Sequence, residues 1–369
     1  MKNINFTDVN PVGKKQQKEI NSQILKVIKK KNFILGKEVN DFENKFSKIT
    51  KTKFSVSCGT GTDALILALM SLDLGMNDEV IVPGLTYIST GLSVILNNNK
   101  LVFTDIDNET GLMDINKIKK KISKKTKAVI PVNLYGQRVD LKKLRLTVGK
   151  KISIIEDSAQ SHLAFSENEK KITPNKYVDI SCYSFYPAKN LGAFGDGGLV
   201  ATNNELLYKK LLALRNLGSI KKNTHFIKGM NSRLDTLQAV VLGVKLNAVL
   251  RFNAKRRKIA EYYDKHLSNI RGIKLTKTNK GSSRHLYVIR VKNRNKLVKY
   301  LTKKKIPVQF HYPYSLNKVG ALKNRFKKVK LSVSEKWSKE CVSLPLHPRL
   351  KINEANFVVK QIKAFFENK

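Results

Sequence analysis

A chain of 369 residues with 41% apolar side chains and ordinary glycine and proline content is larger than one hydrophobic core supports and too apolar for a disordered or fibrous polymer, so two packed domains are expected. Its formal charge of +43 comes from 71 Lys and Arg against 28 Asp and Glu. The lysines recur in pairs and triplets along the chain (Lys29 to Lys31, Lys119 to Lys121, Lys142-Lys143, Lys170-Lys171, Lys221-Lys222, Lys303 to Lys305) instead of forming one stripe, which reads as compositional bias and argues against a specific nucleic-acid partner. A basic surface still helps to attract a phosphorylated substrate. The N-terminus has no apolar stretch of signal-peptide length and Ala64 to Met70 is far too short to span a bilayer, so a cytoplasmic protein without a membrane partner is expected. Cys58, Cys182 and Cys341 lack metal or redox spacing and read as reduced core thiols.

Between residues 52 and 240, helix-like stretches alternate with short apolar runs at Glu79 to Val82, Leu101 to Thr104, Ala128 to Val132, Ile152 to Ile155, Ile180 to Ser184 and Gly198 to Thr202. That alternation predicts a mostly parallel sheet covered by helices. From Leu234 to Leu267 the apolar spacing is helical, with the basic group Lys255-Arg256-Arg257 on its exposed side, and predicts one long helix leading out of the large domain. The expected division is a large α/β domain over residues 1–245 and a smaller α+β domain over 246–369. The second contains strand-like Leu286 to Val291 and Pro307 to Phe310 and a final helix from Asn353.

Five places carry candidate chemistry. Gly59-Thr60-Gly61-Thr62-Asp63 precedes a uniformly apolar helix; its N-terminus is either a phosphate cradle, with glycine permitting close backbone approach, or an ordinary N-cap by Thr60 or Thr62. Tyr87 follows the strand Glu79 to Val82, at the strand end where α/β folds bind ligands, and either stacks on a ring there or packs beneath the loop. The strand Ile152 to Ile155 runs on into Glu156-Asp157; side chains alternate along a strand, so one acid faces a given site, and Asp157 is chosen. Gln160 would lie near the same rim. Ser184 ends a strand five residues before Lys189, and Gly192, Gly195, Gly197 and Gly198 follow within seven residues, implying a tight turn instead of a solvated face. An amine for a Schiff base, a carboxylate for a ring nitrogen and backbone donors for a phosphate are what pyridoxal phosphate needs.

Together, Ser184-Phe185-Tyr186-Pro187-Ala188-Lys189-Asn190-Leu191-Gly192 with Gly195-Asp196-Gly197-Gly198, Glu156-Asp157-Ser158-Ala159-Gln160, and Asn231-Ser232-Arg233-Leu234-Asp235-Thr236-Leu237-Gln238-Ala239 resemble the DegT-type sugar-nucleotide aminotransferases. The likeness runs from Phe33-Ile34-Leu35-Gly36 to Leu344-Pro345-Leu346-His347-Pro348. It implies an aspartate-aminotransferase-like fold (pyridoxal-phosphate fold type I), with Lys189 as Schiff-base lysine and proton shuttle and Asp157 as partner of the pyridinium nitrogen. It also implies Gln160 at the phenolic oxygen, Tyr87 on the ring, and Gly61, Thr62 and Ser184 around the phosphate. Asn231 would reach the phosphate of the neighbouring subunit in a homodimer. Arg284-His285-Leu286-Tyr287 and His311-Tyr312-Pro313 resemble segments lining the substrate pocket, which brings forward His285, His311 and Tyr312.

Two departures stand out. Asn133 replaces a histidine that many relatives carry before Leu134-Tyr135-Gly136-Gln137, and the doubled Gly-Thr at 59–62 leaves the phosphate-loop register open by two. Related dehydratases have histidine in place of the Schiff-base lysine, so Lys189 implies transamination over deoxygenation. Phe185-Tyr186-Pro187 ahead of the lysine, with Arg215-Asn216-Leu217-Gly218-Ser219 and His225 downstream, is similar to the branch that aminates carbon 3. The implied reaction moves an amino group from L-glutamate to a dTDP-3-keto-6-deoxyhexose or UDP-3-keto sugar, for a surface polysaccharide or glycoconjugate. Carbon-4 amination is the alternative. A non-catalytic regulator would have less reason to keep lysine, aspartate, glutamine and the glycine run together.

Overall fold

The computed structural model describes residues 4–165, 176–221 and 223–367, so Lys170, Lys171 and Lys222 of the lysine pairs lie outside the described residues. Seven strands form the main sheet: β1 Phe54–Cys58, β2 Glu79–Pro83, β3 Lys100–Thr104, β4 Thr126–Val129, β5 Ser153–Asp157, β6 Ile180–Ser184 and β7 Gly198–Thr202, in spatial order β1-β7-β6-β5-β4-β2-β3. Pairing is parallel from β6 across to β3, and antiparallel where β7 joins β6 and β1. Helices cover both faces, which is why the central strands read as short apolar runs. The apolar helix Gly61–Ser71 packs with Val56, Val80, Ile155 and Val200 on one side, while Phe42, Phe46, Leu199 and Leu242 close the other.

β1 is absent from the expected strands because its alternation is serine against apolar residues. Those serines are buried by hydrogen bonding: Ser47 Oγ donates to Ser55 Oγ at 2.7 Å, and Ser57 Oγ donates to Glu43 Oε1 at 2.6 Å. Glu43 and Arg215, 6% and 5% exposed, form a buried ion pair beside it, and Arg215 Nη1 also donates to the Ser57 carbonyl at 2.9 Å. Removing one member of such a pair strands the other charge. Arg215→Ala is therefore expected to destabilise the protein by about 3–5 kcal/mol, read from urea unfolding; an unchanged midpoint would contradict it.

The single helix expected over Leu234 to Leu267 is two, Thr236–Leu246 and Val249–Leu267, broken at Asn247-Ala248. The first buries Leu242 and Leu246 against the main sheet, and the second buries Ile259, Tyr263 and Leu267 in a different core. Changing partners needs a change of axis that continuous periodicity does not record. Arg256, expected on the exposed side, is only 2% exposed and donates to the carbonyls of His285 at 3.3 Å and Leu346 at 3.0 Å. Beyond a short hairpin of β8 Ser219–Lys221 and β9 Thr224–His225, the strands β10 Ile273–Leu275, β11 Tyr287–Val291 and β12 Cys341–Leu344 form an antiparallel sheet. The final helix is Ile352–Glu367. Pro307 to Phe310 is not a strand: it makes one isolated bridge, Gln309 to Ser343, in a segment opened by a proline without an N–H to pair. All three cysteines are buried and free, and among the described residues no helix is long and apolar enough to cross a membrane.

Candidate active site

β5 delivers two acids to opposite faces. Glu156 turns away from the helix Ile88–Leu96 and accepts from Ser181 Oγ and Asn133 Nδ2, both at 2.7 Å, which accounts for the asparagine at 133. Asp157, 6% exposed, accepts from Thr90 Oγ1 on Oδ2 at 2.9 Å and from the Ala159 N–H on Oδ1 at 3.1 Å. Burial raises its pKa above the ordinary carboxylate value, against those donors and the nearby Lys189 charge.

Lys189 is carried by the loop between β6 and β7. The Lys189 N–H donates to the Tyr186 carbonyl and the Ala193 N–H to the Phe185 carbonyl, both at 2.8 Å. Gly192 lies so close to the Pro187 carbonyl that no Cβ fits, so the turn requires glycine. Burial pushes the Lys189 ammonium down to about 8, with Asp157 pulling the other way. A half-buried amine titrating near neutrality beside a buried carboxylate is equipped for nucleophilic and proton-transfer chemistry.

The helix Gly61–Ser71 settles which threonine is the cap: Thr60 Oγ1 accepts from the Asp63 N–H at 3.0 Å. Gly61 and Thr62 are thus the first helical residues, and Thr62 Oγ1 lies 2.7 Å from Ser89 Oγ. A Cβ on Gly61 would come within 2.5 Å of the Ser184 Cβ, so the helix N-terminus and Ser184 close on one another. Tyr87 does not pack beneath its loop; it is 57% exposed, its ring 5.8 Å from that of Tyr312. Gln160 Nε2 donates to Tyr312 Oη at 2.9 Å. His285 is buried, with Nδ1 3.0 Å from Asn190 Oδ1 beside Lys189. His311 sits with Nδ1 2.8 Å from Ser343 Oγ. Asn231 is exposed and bridged to Asn216, while the adjacent Ser232 Oγ accepts from the Gly59 N–H at 2.9 Å and donates to Asp63.

Sequence reading passed over Thr90, Asn190 and Tyr135, the last of which donates its N–H to Gln160 Oε1 at 2.7 Å. Position offered a hint for two of them, three residues past Tyr87 and one past Lys189. It also passed over His162, fully buried in the run after Asp157 and pushed down to about 3 by burial, then by Lys189; His311 is pushed down to about 4 by the same two causes. Both stay unprotonated in the folded protein where the unfolded chain, with ordinary values near 6.5, takes up protons. Their contribution is therefore complete above 6.5 and is lost as pH falls toward 4. The melting temperature of His162→Asn is expected to fall less between pH 7 and 4.5 than that of the wild type; parallel declines would contradict this.

Residues 14–363 match the DegT/DnrJ/EryC1/StrS aminotransferase family. The chain belongs to that family. It is 38% identical to the dTDP-3-amino-3,6-dideoxy-alpha-D-galactopyranose transaminase of Aneurinibacillus thermoaerophilus, over 98% of this chain and 99% of that one. To the UDP-2-acetamido-2-deoxy-3-oxo-D-glucuronate aminotransferase of Pseudomonas aeruginosa it is 36% identical, over 94% and 96%. Its fold matches the crystal structure of S. venezuelae DesV in complex with a ketimine intermediate, with a TM-score of 0.95 at 33% identity, covering 100% of this chain and 99% of that one. DegT/DnrJ/EryC1/StrS aminotransferases use pyridoxal phosphate, and the residues fit it: an amine near neutral pKa, a buried carboxylate, an exposed aromatic ring, and a helix N-terminus with no room for a Cβ. Among the described residues no cluster of His, Cys, Asp or Glu is arranged to hold a metal.

Proposed function

We propose that this DegT/DnrJ/EryC1/StrS aminotransferase moves the amino group of L-glutamate to carbon 3 of a nucleotide-linked keto sugar, a dTDP-3-keto-6-deoxyhexose or a UDP-3-keto sugar. The observation that carries the reading is the Lys189–Asp157 pair, in a chain alignable almost end to end with two transaminases whose names place the reacting nitrogen or ketone at carbon 3. The bound cofactor supplies an aldehyde that receives the amino group and a ring that stores the electron pair. Asp157 holds the proton on the ring nitrogen, and the apolar strand behind it keeps that contact dry. Lys189 takes the proton from the α carbon of glutamate and later returns one to the sugar carbon. Gln160 donates to the phenolic oxygen and Tyr87 covers the ring. Gly61, Thr62 and Ser184 surround the phosphate with the positive end of a helix. His285, His311 and Tyr312 are assigned to the sugar side of the cleft. The division at residues 245/246 belongs to the same reading, supported by two separate sheets, although Leu316, Leu322 and Leu331 from the second part pack into the core of the main sheet. The reaction is placed in the cytoplasm, in keeping with its soluble, charged substrates.

Incubation with glutamate and matched 3-keto and 4-keto nucleotide sugars, followed by NMR location of the new amine, tests the assignment. Amination at carbon 3 is expected; turnover of only the 4-keto compound would refute it. The active unit is proposed to be a homodimer in which Asn231, exposed on its own chain, completes the phosphate site of the neighbouring subunit. Mixing Asn231→Ala chains with Lys189→Ala chains is then expected to restore activity, because one of the two sites in each heterodimer draws both intact residues. No recovery despite confirmed subunit exchange would make each site self-contained.

A further inference from the structure

Tyr135 touches three of the candidate residues through three different groups. It lies in the turn Leu134–Gly136 with a left-handed backbone, φ 61°, a conformation that costs a tyrosine about 1–2 kcal/mol, so the turn is held from outside. Its N–H donates to Gln160 Oε1 at 2.7 Å. With that oxygen taken, Nε2 is the group Gln160 presents to Tyr312 Oη at 2.9 Å. The Tyr135 carbonyl accepts from the His285 N–H at 3.0 Å. Its hydroxyl donates to the His311 carbonyl and accepts from Trp337 Nε1 at 3.2 Å. Tyr135 is 3% exposed, so its own polar groups have no water to fall back on. The neighbouring Gly136 leaves no room for a Cβ against Ser283 and the His285 N–H, which presses the same turn onto the segment carrying His285.

We propose that Tyr135 is a positioning residue for the sugar acceptor: its hydroxyl fastens the His311–Tyr312 segment to the turn that orients Gln160, so that the Tyr312 ring and hydroxyl stand beside Tyr87 and Gln160 where the sugar meets the cofactor. This rests on the reading of His311 and Tyr312 as sugar-facing. Tyr135→Phe removes only the hydroxyl. In the holoenzyme the KM for the keto nucleotide sugar is expected to rise about tenfold, the worth of one buried hydrogen bond, while 2-oxoglutarate formation from glutamate alone stays within about twofold. Tyr312→Phe is expected to give a similar loss and the double variant little more, because both cut one chain of contacts. In the cofactor-free protein, amide exchange across residues 309–312 is expected to quicken about tenfold. An unchanged acceptor KM, strictly additive variants, or unaltered exchange in an active Tyr135→Phe enzyme would overturn the positioning role. A wild type that yields no 2-oxoglutarate from glutamate would instead overturn the functional reading beneath it.

Discussion

Lys189→Ala is expected to lower transamination by at least about a thousandfold while leaving the protein folded. The loop between β6 and β7 places this amine, alone among the described lysines, next to Asp157, and burial brings it to about 8, where a useful fraction is neutral at physiological pH. Among the described residues no hydrogen bond or ion pair holds its ammonium, so alanine gives up the attraction to Asp157, which the cost of burying the charge outweighs. The folded state disfavours the Lys189 proton, so its charge destabilises the cofactor-free protein below about 8 and is relieved as pH rises from there toward 10.5. Cofactor-free Lys189→Ala is therefore expected to melt at or above the wild-type temperature at pH 7. Activity within tenfold of wild type would mean that another lysine performs the chemistry.

Asp157→Ala is expected to retain cofactor but to lose on the order of a hundredfold to a thousandfold in kcat, as for other preorganised electrostatic contacts in a dry site. An unprotonated ring is a poor electron sink, and the neighbouring acid of β5 does not stand ready to replace Asp157. Glu156 is committed to Ser181 and Asn133 on the opposite face of β5. Steady-state rates with glutamate, with cofactor content measured on the same sample, make the comparison. Full activity in Asp157→Ala would move the role to another group.

Much of this site was legible because its residues lie in runs where backbone geometry and chemistry coincide. β6 and β7 begin and end where the sequence places them, since both strands are buried throughout and flanked by abrupt changes of composition. Strand alternation puts Asp157 and Glu156 on opposite faces, and the choice of Asp157 for the ring nitrogen comes from the family resemblance. What the chain does not spell out is what depends on partners distant in sequence. Thr90 matters because it reaches an aspartate 67 residues away, and Tyr135 because its hydroxyl reaches a carbonyl 176 residues away. β1 hid because its serines are satisfied by Glu43 and Ser47, and Arg256 looked like surface because its two carbonyl acceptors come from other segments. Local pattern thus gave the floor of the site, and tertiary contact supplies its walls.

The most direct test is to identify the lysine that holds the cofactor. Protein carrying one equivalent of pyridoxal phosphate per chain would be reduced with borohydride, digested, and mapped by mass spectrometry. A single pyridoxyl group on the peptide containing Lys189 is expected, with none on the surface lysines; an adduct spread over other lysines, or none on Lys189, would contradict the assignment.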